Sequence, residues 1–527
     1  MLRPRANFTA LFKPRRDLLN NFGEAQKPDR DFGQNAILIA PMSHSRTFTP
    51  ADQEDFAILS GDYNPMHLDP LIARRMLFGK PVVHGVHVVL WVLDTYLLGK
   101  GLAQTKSLKS LKATFTKPVG VGETATWVVH RETIDQVDFV VMVEGTPMIK
   151  IKSGWTLHPL APEPTPLPSA QTSTTPPQPR EQDELVDAKG ELRLWLDTDH
   201  AHARFAALTQ QLAPLQFAEL LALTRLVGME CPGLNSVFSE FDITFAPHKD
   251  QTDAPTSNLS YTVAQYDERF NRVLMRIMAP MLSGNIRAFV RPPIHTQPSY
   301  AQILAYLKKI SNLQVSSSKP FSNQRALVVG GSRGLGEVTA KLLAAGGADV
   351  RLTYHRGAQE AQRIIDDIHS GGGLAQHFAL DVLQPDAAIA ALLAAGWAPT
   401  HLYYLATPFI FDAISGTFSP RLFRQFCDYY VFGFLSLLNL LKPHGLRAVF
   451  YPSSVALDNI PANMGEYAAA KAAGEMLCAF VEQHSRDLHI YRPRLPRLAT
   501  DQTASLLPVD NGDPLSVMFE NLCHLSL

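Results

Sequence analysis

Asp62, Asn64, Pro65 and His67 fall within the stretch SGDYNPMH, Ser60 to His67, and form the densest group of chemistry-capable side chains in the sequence. A carboxyl and an imidazole directed at one water molecule make a general acid/base couple. Five residues apart, Asp62 and His67 cannot share a face of a strand, but a loop stiffened by Pro65 can aim both inward. Seventeen residues after His67 comes His84-Gly85, followed by the apolar run VHVVLWVLDTYLLG. The run predicts a buried helix whose first turn offers backbone N–H groups to an anionic oxygen, with Gly85 permitting close approach of a substrate.

A second group of candidate residues lies in the last third of the chain. RALVVGGSRGLGEVTAKLLAAGGADVRLTYHRG reads as strand, glycine-rich turn, helix and strand. Gly330, Gly334 and Gly336 sit where a tight turn lets a pyrophosphate reach a helix N-terminus. At the end of the second strand, Tyr354-His355-Arg356 replaces the acidic residue that an NAD-preferring domain places against the ribose hydroxyl. Together with Arg333, this favours a 2′-phosphate and hence NADP(H). Further on, Tyr467 and Lys471 are four apart on an expected helix and share a face, with Ser454 thirteen residues earlier at the end of a buried strand. A lysine one turn from a tyrosine is expected to lower the phenol pKa, readying it for proton exchange with a carbonyl oxygen.

The elements that must position these groups can be read in order. Thr49-Pro50-Ala51-Asp52 suits a helix start, with Thr49 as cap, Pro50 at the first position and Asp52 on the dipole, and the helix should run to about Leu59. After the apolar helix come four β-rich runs, LKSLKATFTKPV, ETATWVVHRETI, QVDFVVMVEG and PMIKIKSGWTLH. They close a first domain over residues 1–160. Residues 161–185 hold a Pro-rich stretch expected to be an extended linker. In 186–296, the helix LQFAELLALTRLVGM and four further β-runs repeat the order of the first domain without its DxNPxH motif, and His248 sits in a polar loop. Residues 297–322 read as a connector, and 323–527 as the nucleotide domain.

Each group of residues carries a resemblance. From about Thr47 to His158 the chain resembles the MaoC-like (R)-specific hydratases and dehydratases of the hotdog fold. That resemblance implies Asp62 and His67 as the catalytic pair, Asn64 as the residue orienting their loop, and the Gly85 N–H as the group polarising a thioester carbonyl. Hotdogs act in pairs, so the second repeat is expected to be a catalytically silent partner within the same chain. From about Arg325 to Thr500 the chain resembles the short-chain dehydrogenase/reductases. This implies Tyr467 as proton donor, Lys471 as its tuner and a ribose ligand, and Ser454 as carbonyl orienter. The implied NADP(H) site takes in Gly330, Ser332, Arg333, Gly334, Leu335, Gly336, Arg356, Asp381 and Val382, with Asp381 at the adenine. Two departures stand out: Tyr404-Leu405-Ala406-Thr407 replaces the family's NNAG, and Tyr430 stands in for its helix asparagine.

The expected fold class is therefore two α+β hotdog domains followed by an α/β Rossmann domain. The formal net charge of −1 gives no reason to expect nucleic acid as a partner. Four scattered cysteines argue against a disulfide framework and a zinc site and point to a reducing, cytoplasmic setting. The longest apolar run, Val86 to Leu98, is too short and too interrupted to span a bilayer. The basic start MLRPRANFTALFKPRR reads as a solvated extension.

The expected function is bifunctional: reduction of a 3-oxoacyl thioester and dehydration of the (R)-3-hydroxyacyl product to a trans-2-enoyl thioester, in fatty acid or polyketide biosynthesis. Two alternatives remain at this point. One is hydration coupled to an oxidising dehydrogenase in fatty-acid breakdown; the other is a hydratase whose third domain only binds nucleotide. Coenzyme A and an acyl carrier protein are both open as carriers, as is a homo-oligomer formed through the reductase domain.

Overall fold

In the computed structural model the described residues are 42–100, 107–156, 167–168, 176–246, 257–313, 319–413, 415–507 and 509–526. The basic N-terminal extension, most of the Pro-rich linker and His248 lie outside them.

The first half contributes β1 (Ser43–Thr47), β2 (Ser107–Phe115), β3 (Thr124–Glu132), β4 (Gln136–Val143) and β5 (Thr146–Thr156). The next contributes β6 (Lys189–Arg193), β7 (Ser236–Phe245), β8 (Asn258–Asp267), β9 (Arg272–Met278) and β10 (Leu282–Val290). All ten join one antiparallel sheet in the order β1-β3-β4-β5-β2-β7-β10-β9-β8-β6. Read inward from either edge, the two halves follow the same path, β1-β3-β4-β5-β2 and β6-β8-β9-β10-β7. They meet where β2 pairs with β7, with Ala113 opposite Phe241. Alternation decides which face each strand buries: along β9, Val273, Met275 and Ile277 point into the core while Arg272 and Arg276 face water.

The helix Gly85–Lys100 is apolar all round because it is buried nearly all round, by Val86, Val88, Val89, Leu90, Val92 and Leu93 among others. Trp127 of β3 donates its indole N–H to Thr95 of this helix at 3.0 Å. The two polar interruptions of the run also have partners. His87 stacks on Phe56 with 4.4 Å between ring centres, and Asp94 accepts the Leu208 N–H at 2.8 Å, within the helix Ala206–Gln211 of the second repeat.

The last domain is built on β11 (Arg325–Val329), β12 (Asp349–Tyr354), β13 (Leu374–Ala379), β14 (His401–Tyr404) and β15 (Ala448–Phe450). A short β16 (Ser453–Ser454), β17 (His489–Tyr491) and a short β18 (Arg494–Leu495) complete it. Its sheet runs β13-β12-β11-β14-β15-β17 with every ladder parallel, and β16 pairs with β18. The order reverses between β11 and β14, and nucleotides bind at the carboxyl ends of the strands at such a point.

The stretch 297–322, expected as a connector, instead contains the helix Tyr300–Leu313. Tyr300, Ile303 and Leu307 recur at helical spacing and pack with Val338, Leu342 and Ile368, so this helix belongs to the core of the last domain. The linker range also holds one helical turn, Gln182–Leu185, in which the Glu181 N–H donates to Glu184 at 2.8 Å. All four cysteines are free thiols. Among the described residues no helix is long and apolar enough to cross a membrane.

Candidate active sites

The helix Pro50–Ser60 starts as its sequence signals: the Thr49 N–H donates to Asp52 Oδ2 at 2.7 Å and Thr49 Oγ1 accepts from the Asp52 N–H at 3.2 Å. It ends at Gly61, whose φ of 78° turns the chain and delivers a fully buried Asp62. Asn64 is extended at φ −58° and ψ 124°, as Pro65 requires, and caps the turn Pro65–Leu68 by accepting the Met66 N–H at 3.1 Å. Its Nδ2 donates to the Gly228 carbonyl at 3.0 Å, tying the loop to the second repeat.

His67 sits in that turn with Nδ1 2.7 Å from the Val82 carbonyl. A carbonyl only accepts, so Nδ1 carries the proton and Nε2 keeps a lone pair for a substrate. His84 stacks on His67 at 3.8 Å between ring centres, its own nitrogens 3.0 Å from Gln53 Oε1 and 3.1 Å from the Asp62 carbonyl. The helix behind them opens at Gly85, where a Cβ would stand 2.7 Å from the Phe115 ring. The N–H groups of such a first turn have no acceptor within the helix.

Burial pushes the Asp62 carboxyl up, opposed by the charge of His67 and by hydrogen bonds from Thr224 and the Asn64 N–H. Burial pushes His67 down, with Asp62 and the Val82 carbonyl acting the other way. His84 is held well below its usual range by burial and by His67. The three side chains bring ligand atoms within 4.8 Å of one another, a density that also suits a cation. Yet His67 Nδ1 and both His84 nitrogens face carbonyl oxygens, and the carboxyl is held by Thr224 and Asn64. A proton-transfer pair fits these commitments better than coordination.

Four residues of this site escape a reading of the motif alone. His84 and Gln53 are local, and the His84-Gly85 pair was the signal available for the first. Thr224, whose hydroxyl donates to Asp62 Oδ2 at 2.7 Å, and Gly228, where a Cβ would overlap the Asp62 carboxyl, come from the second repeat and carry no sequence signal.

In the last domain, every residue named above for the nucleotide and for the Ser454, Tyr467 and Lys471 set lines one cavity of about 890 Å³. The residues fit a dinucleotide phosphate. Gly330 has φ +79° and a Cβ there would stand 2.9 Å from the Ala406 backbone, while one at Gly336 would overlap the Gly330 carbonyl. The helix Gly334–Ala345 begins without a side-chain cap, leaving its N-terminal N–H groups to an anion.

Lys471 does not lower the Tyr467 pKa, contrary to the expectation. Burial pushes the phenol up to about 12, with only the hydrogen bond to Ser454 opposing it. Lys471 Nζ instead donates to the Pro452 carbonyl at 2.8 Å and lies 4.0 Å from the centre of the Tyr430 ring and 5.0 Å from that of Tyr451. Burial drives its own pKa down to about 7, so at neutral pH it offers only part of a charge. Tyr430, in place of the asparagine, bonds its hydroxyl to Thr407 at 2.5 Å and sets its ring edge-on to Tyr467, 5.7 Å away.

The two sites are neighbours. Gly79, between His67 and Gly85, lines the nucleotide cavity, and a Cβ there would overlap the ring of Phe409. Lys80 reaches Asp412 at 3.5 Å, and Arg75 donates to Asp501 at 2.7 Å.

A ten-stranded antiparallel sheet that covers a buried helix and a six-stranded parallel sheet with a glycine-rich turn are the two folds this chain combines. Residues 37–150 match the family described as MaoC like domain, and residues 324–491 match the short chain dehydrogenase family. The chain therefore joins a MaoC-like hotdog domain to a short-chain dehydrogenase domain. It is 40% identical over 97 residues to an (R)-specific enoyl-CoA hydratase of Aeromonas caviae, covering 18% of this chain and 66% of that protein. It is 38% identical over 101 residues to 3-hydroxyacyl-thioester dehydratase Y of Mycobacterium tuberculosis, covering 19% of this chain and 34% of that protein. The chain thus spans no more than 66% of the length of either relative. Among solved structures it resembles a short-chain dehydrogenase of Burkholderia cenocepacia in complex with NADP, at 24% identity and TM-score 0.35, covering 39% of this chain and 91% of that one.

Proposed function

We propose that the protein acts on acyl thioesters twice, reducing a 3-oxoacyl group with NADPH and dehydrating the resulting (R)-3-hydroxyacyl group to the trans-2-enoyl product. The observation that carries the reading is the buried Asp62 and His67 pair, in which burial favours the protonated acid and the neutral base together. That is the state dehydration needs. His67 Nε2 takes the proton from C2, and the electron pair left there builds negative charge on the thioester oxygen, which the Gly85 N–H stabilises. Asp62 gives its proton to the 3-hydroxyl, the C3–O bond breaks, water leaves and the C2=C3 bond forms. Hydration follows the same path in reverse.

Residues 186–296 are, on this reading, a second hotdog that keeps the scaffold without the acid/base motif; the mirrored strand order supports it. Its contribution is to hold the first site shut around Asp62 through Thr224 and Gly228.

In the last domain, Gly330, Ser332, Gly334, Leu335 and Gly336 would hold the pyrophosphate region, Asp381 and Val382 the adenine end, and Arg333 and Arg356 the 2′-phosphate. The bound nucleotide would supply hydride to a ketone. Tyr467 would hold a proton for the carbonyl oxygen, Ser454 would orient that oxygen, and Lys471 would face the ribose. Both steps act on the same carbon pair, and the names of the two relatives concern the same thioester class.

The test is to offer the purified protein 3-oxoacyl and 2-enoyl thioesters on coenzyme A and on acyl carrier protein, with NADPH or NADH. Hydration of the enoyl thioester and NADPH consumption with the oxo substrate are expected, and absence of hydration on either carrier would end the proposal. A second reading, in which the last domain binds nucleotide without turnover, draws on the Tyr430 and Thr407 pair and on the pinned Lys471. Hydration without NADPH consumption would select it. Faster oxidation of 3-hydroxyacyl thioesters by NAD than reduction by NADPH would point to breakdown, against the placement of Arg333 and Arg356.

A further inference from the structure

Arg74 belongs to the MaoC-like domain, seven residues after His67, yet it lines the nucleotide cavity of the dehydrogenase domain. It follows directly on the short helix Pro70–Ala73. Its guanidinium pairs with Glu360 in the first turn of the helix Ala358–Ser370. Arg75 stands 3.9 Å from the same carboxylate, and the Arg74 carbonyl accepts from Arg333 Nη1 at 3.0 Å.

Helix Ala358–Ser370 opens at Gly357 with no side-chain cap, immediately after Arg356. A Cβ at Gly357 would overlap Arg74 Nη2 and the Glu360 carboxylate and would lie 3.3 Å from Ser332 Oγ. A hydroxyl, an uncapped helix N-terminus and a guanidinium from another domain therefore converge just beyond the end of β12, where the sequence places the cofactor's ribose. Arg74 Nε is buried there without a hydrogen-bond partner.

Charge points the same way. Arg74, Arg75, Arg333 and Arg356 gather around two carboxylates, Glu360 and Asp501, leaving a local excess of two positive charges. A phosphate monoester carries about −1.5 to −2 at neutral pH. Burial and repulsion from Arg333, Arg75 and Arg356 hold Arg74 down to about 10, a cost that a bound dianion would relieve. Pairing two domains needs only the Arg74 and Glu360 contact, and would not call for the other guanidinium groups.

We propose that Arg74 is a ligand of the cofactor's 2′-phosphate, so that the hydratase domain sets part of the dehydrogenase domain's preference for NADP(H). This rests on the reading of the cavity as an NADP(H) site. It also makes nucleotide binding report on the segment that links His67 to Gly85.

The test is equilibrium binding to the full chain, by nucleotide fluorescence for NADPH and NADH and by calorimetry for 2′,5′-ADP and AMP. Arg74→Gln is expected to weaken NADPH and 2′,5′-ADP by about ten- to a hundredfold while leaving NADH and AMP within about twofold. Glu360→Gln keeps the guanidinium and removes a competing charge, so NADPH binding should hold or tighten. Should Arg74→Gln fail to fold, Arg74→Lys, which keeps the charge but not the fork, should give a smaller loss of the same selectivity. Equal losses for all four ligands, no loss for any, or Glu360→Gln behaving like Arg74→Gln would reduce Arg74 to a clasp between domains. A wild-type protein that binds neither NADPH nor 2′,5′-ADP would instead remove the cofactor reading itself, and this inference with it.

Discussion

Thr224 Oγ1 stands 2.7 Å from Asp62 Oδ2, so a hydroxyl from residues 186–296, which lack the DxNPxH motif, holds the carboxyl of the segment that carries it. The bond favours the ionised carboxylate and partly offsets the effect of burial. Thr224→Val removes it at constant shape, and the Asp62 pKa should rise further. On the proposed mechanism Asp62 works protonated in dehydration, so activity should be lost as pH climbs through its pKa. The alkaline limb of kcat/KM should therefore move to higher pH, with kcat lower by about tenfold, while Thr224→Ser stays near wild type. An unmoved limb in a folded variant would show that the hydroxyl is a bystander.

Asp62→Asn and His67→Ala each delete one member of the acid/base pair. Hydration of 2-enoyl thioesters should fall by about a hundredfold or more in either variant, with circular dichroism and NADPH affinity unchanged. Near-normal turnover in either would overturn the assignment of this site.

Separating the repeats should disable the first. In a fragment of residues 42–160, β2 loses its partner β7 and becomes an exposed edge, and the helix Gly85–Lys100 loses the cover of the second repeat. Aggregation or self-pairing is expected in size-exclusion chromatography with light scattering, and hydratase activity should be lost. A soluble, monomeric, fully active fragment would refute the pairing.

Tyr467→Phe should abolish ketone reduction and spare hydration, since it removes one oxygen while keeping the ring that packs against Phe426 and Tyr430. Loss of both activities in a folded protein would mean that the two sites share their chemistry.

Lys471 gives a stability prediction with a definite sign. Its pKa falls from 10.5 to about 7 on folding, so between those values the unfolded chain binds more protons and stability rises with pH. Below about 7 the full cost of burying the ammonium is present. Lys471→Met should melt above wild type at pH 6, with the difference shrinking toward pH 10, while ketone reduction is lost. A constant difference across that range would mean that Lys471 is not the group titrating.

What the sequence made legible was local. Asp62, Asn64 and His67 fall within six residues, and the Thr49 capping box and the Gly330 to Gly336 turn are similarly compact, so their types and spacing nearly determine their geometry. Thr224 lies 162 positions from Asp62, and Arg74 lies 259 from Arg333; only the fold brings such pairs together. Lys471 departs from the sequence expectation for a different reason. Spacing placed lysine and tyrosine on one face, but burial, which spacing does not report, set the direction of both pKa shifts. The helix Tyr300–Leu313 was hidden by the Ser-rich stretch that follows it.

Gly228 carries a consequence for how the two repeats can change over time. Any side chain there would displace the Asp62 carboxyl, so residues 186–296, which lack the DxNPxH motif, are not free to accept substitutions at this position. A defect at that position would be scored against the chemistry at Asp62. A recombinant that exchanges residues 186–296 for a foreign segment must therefore bring a glycine to this spot or lose the placement of Asp62.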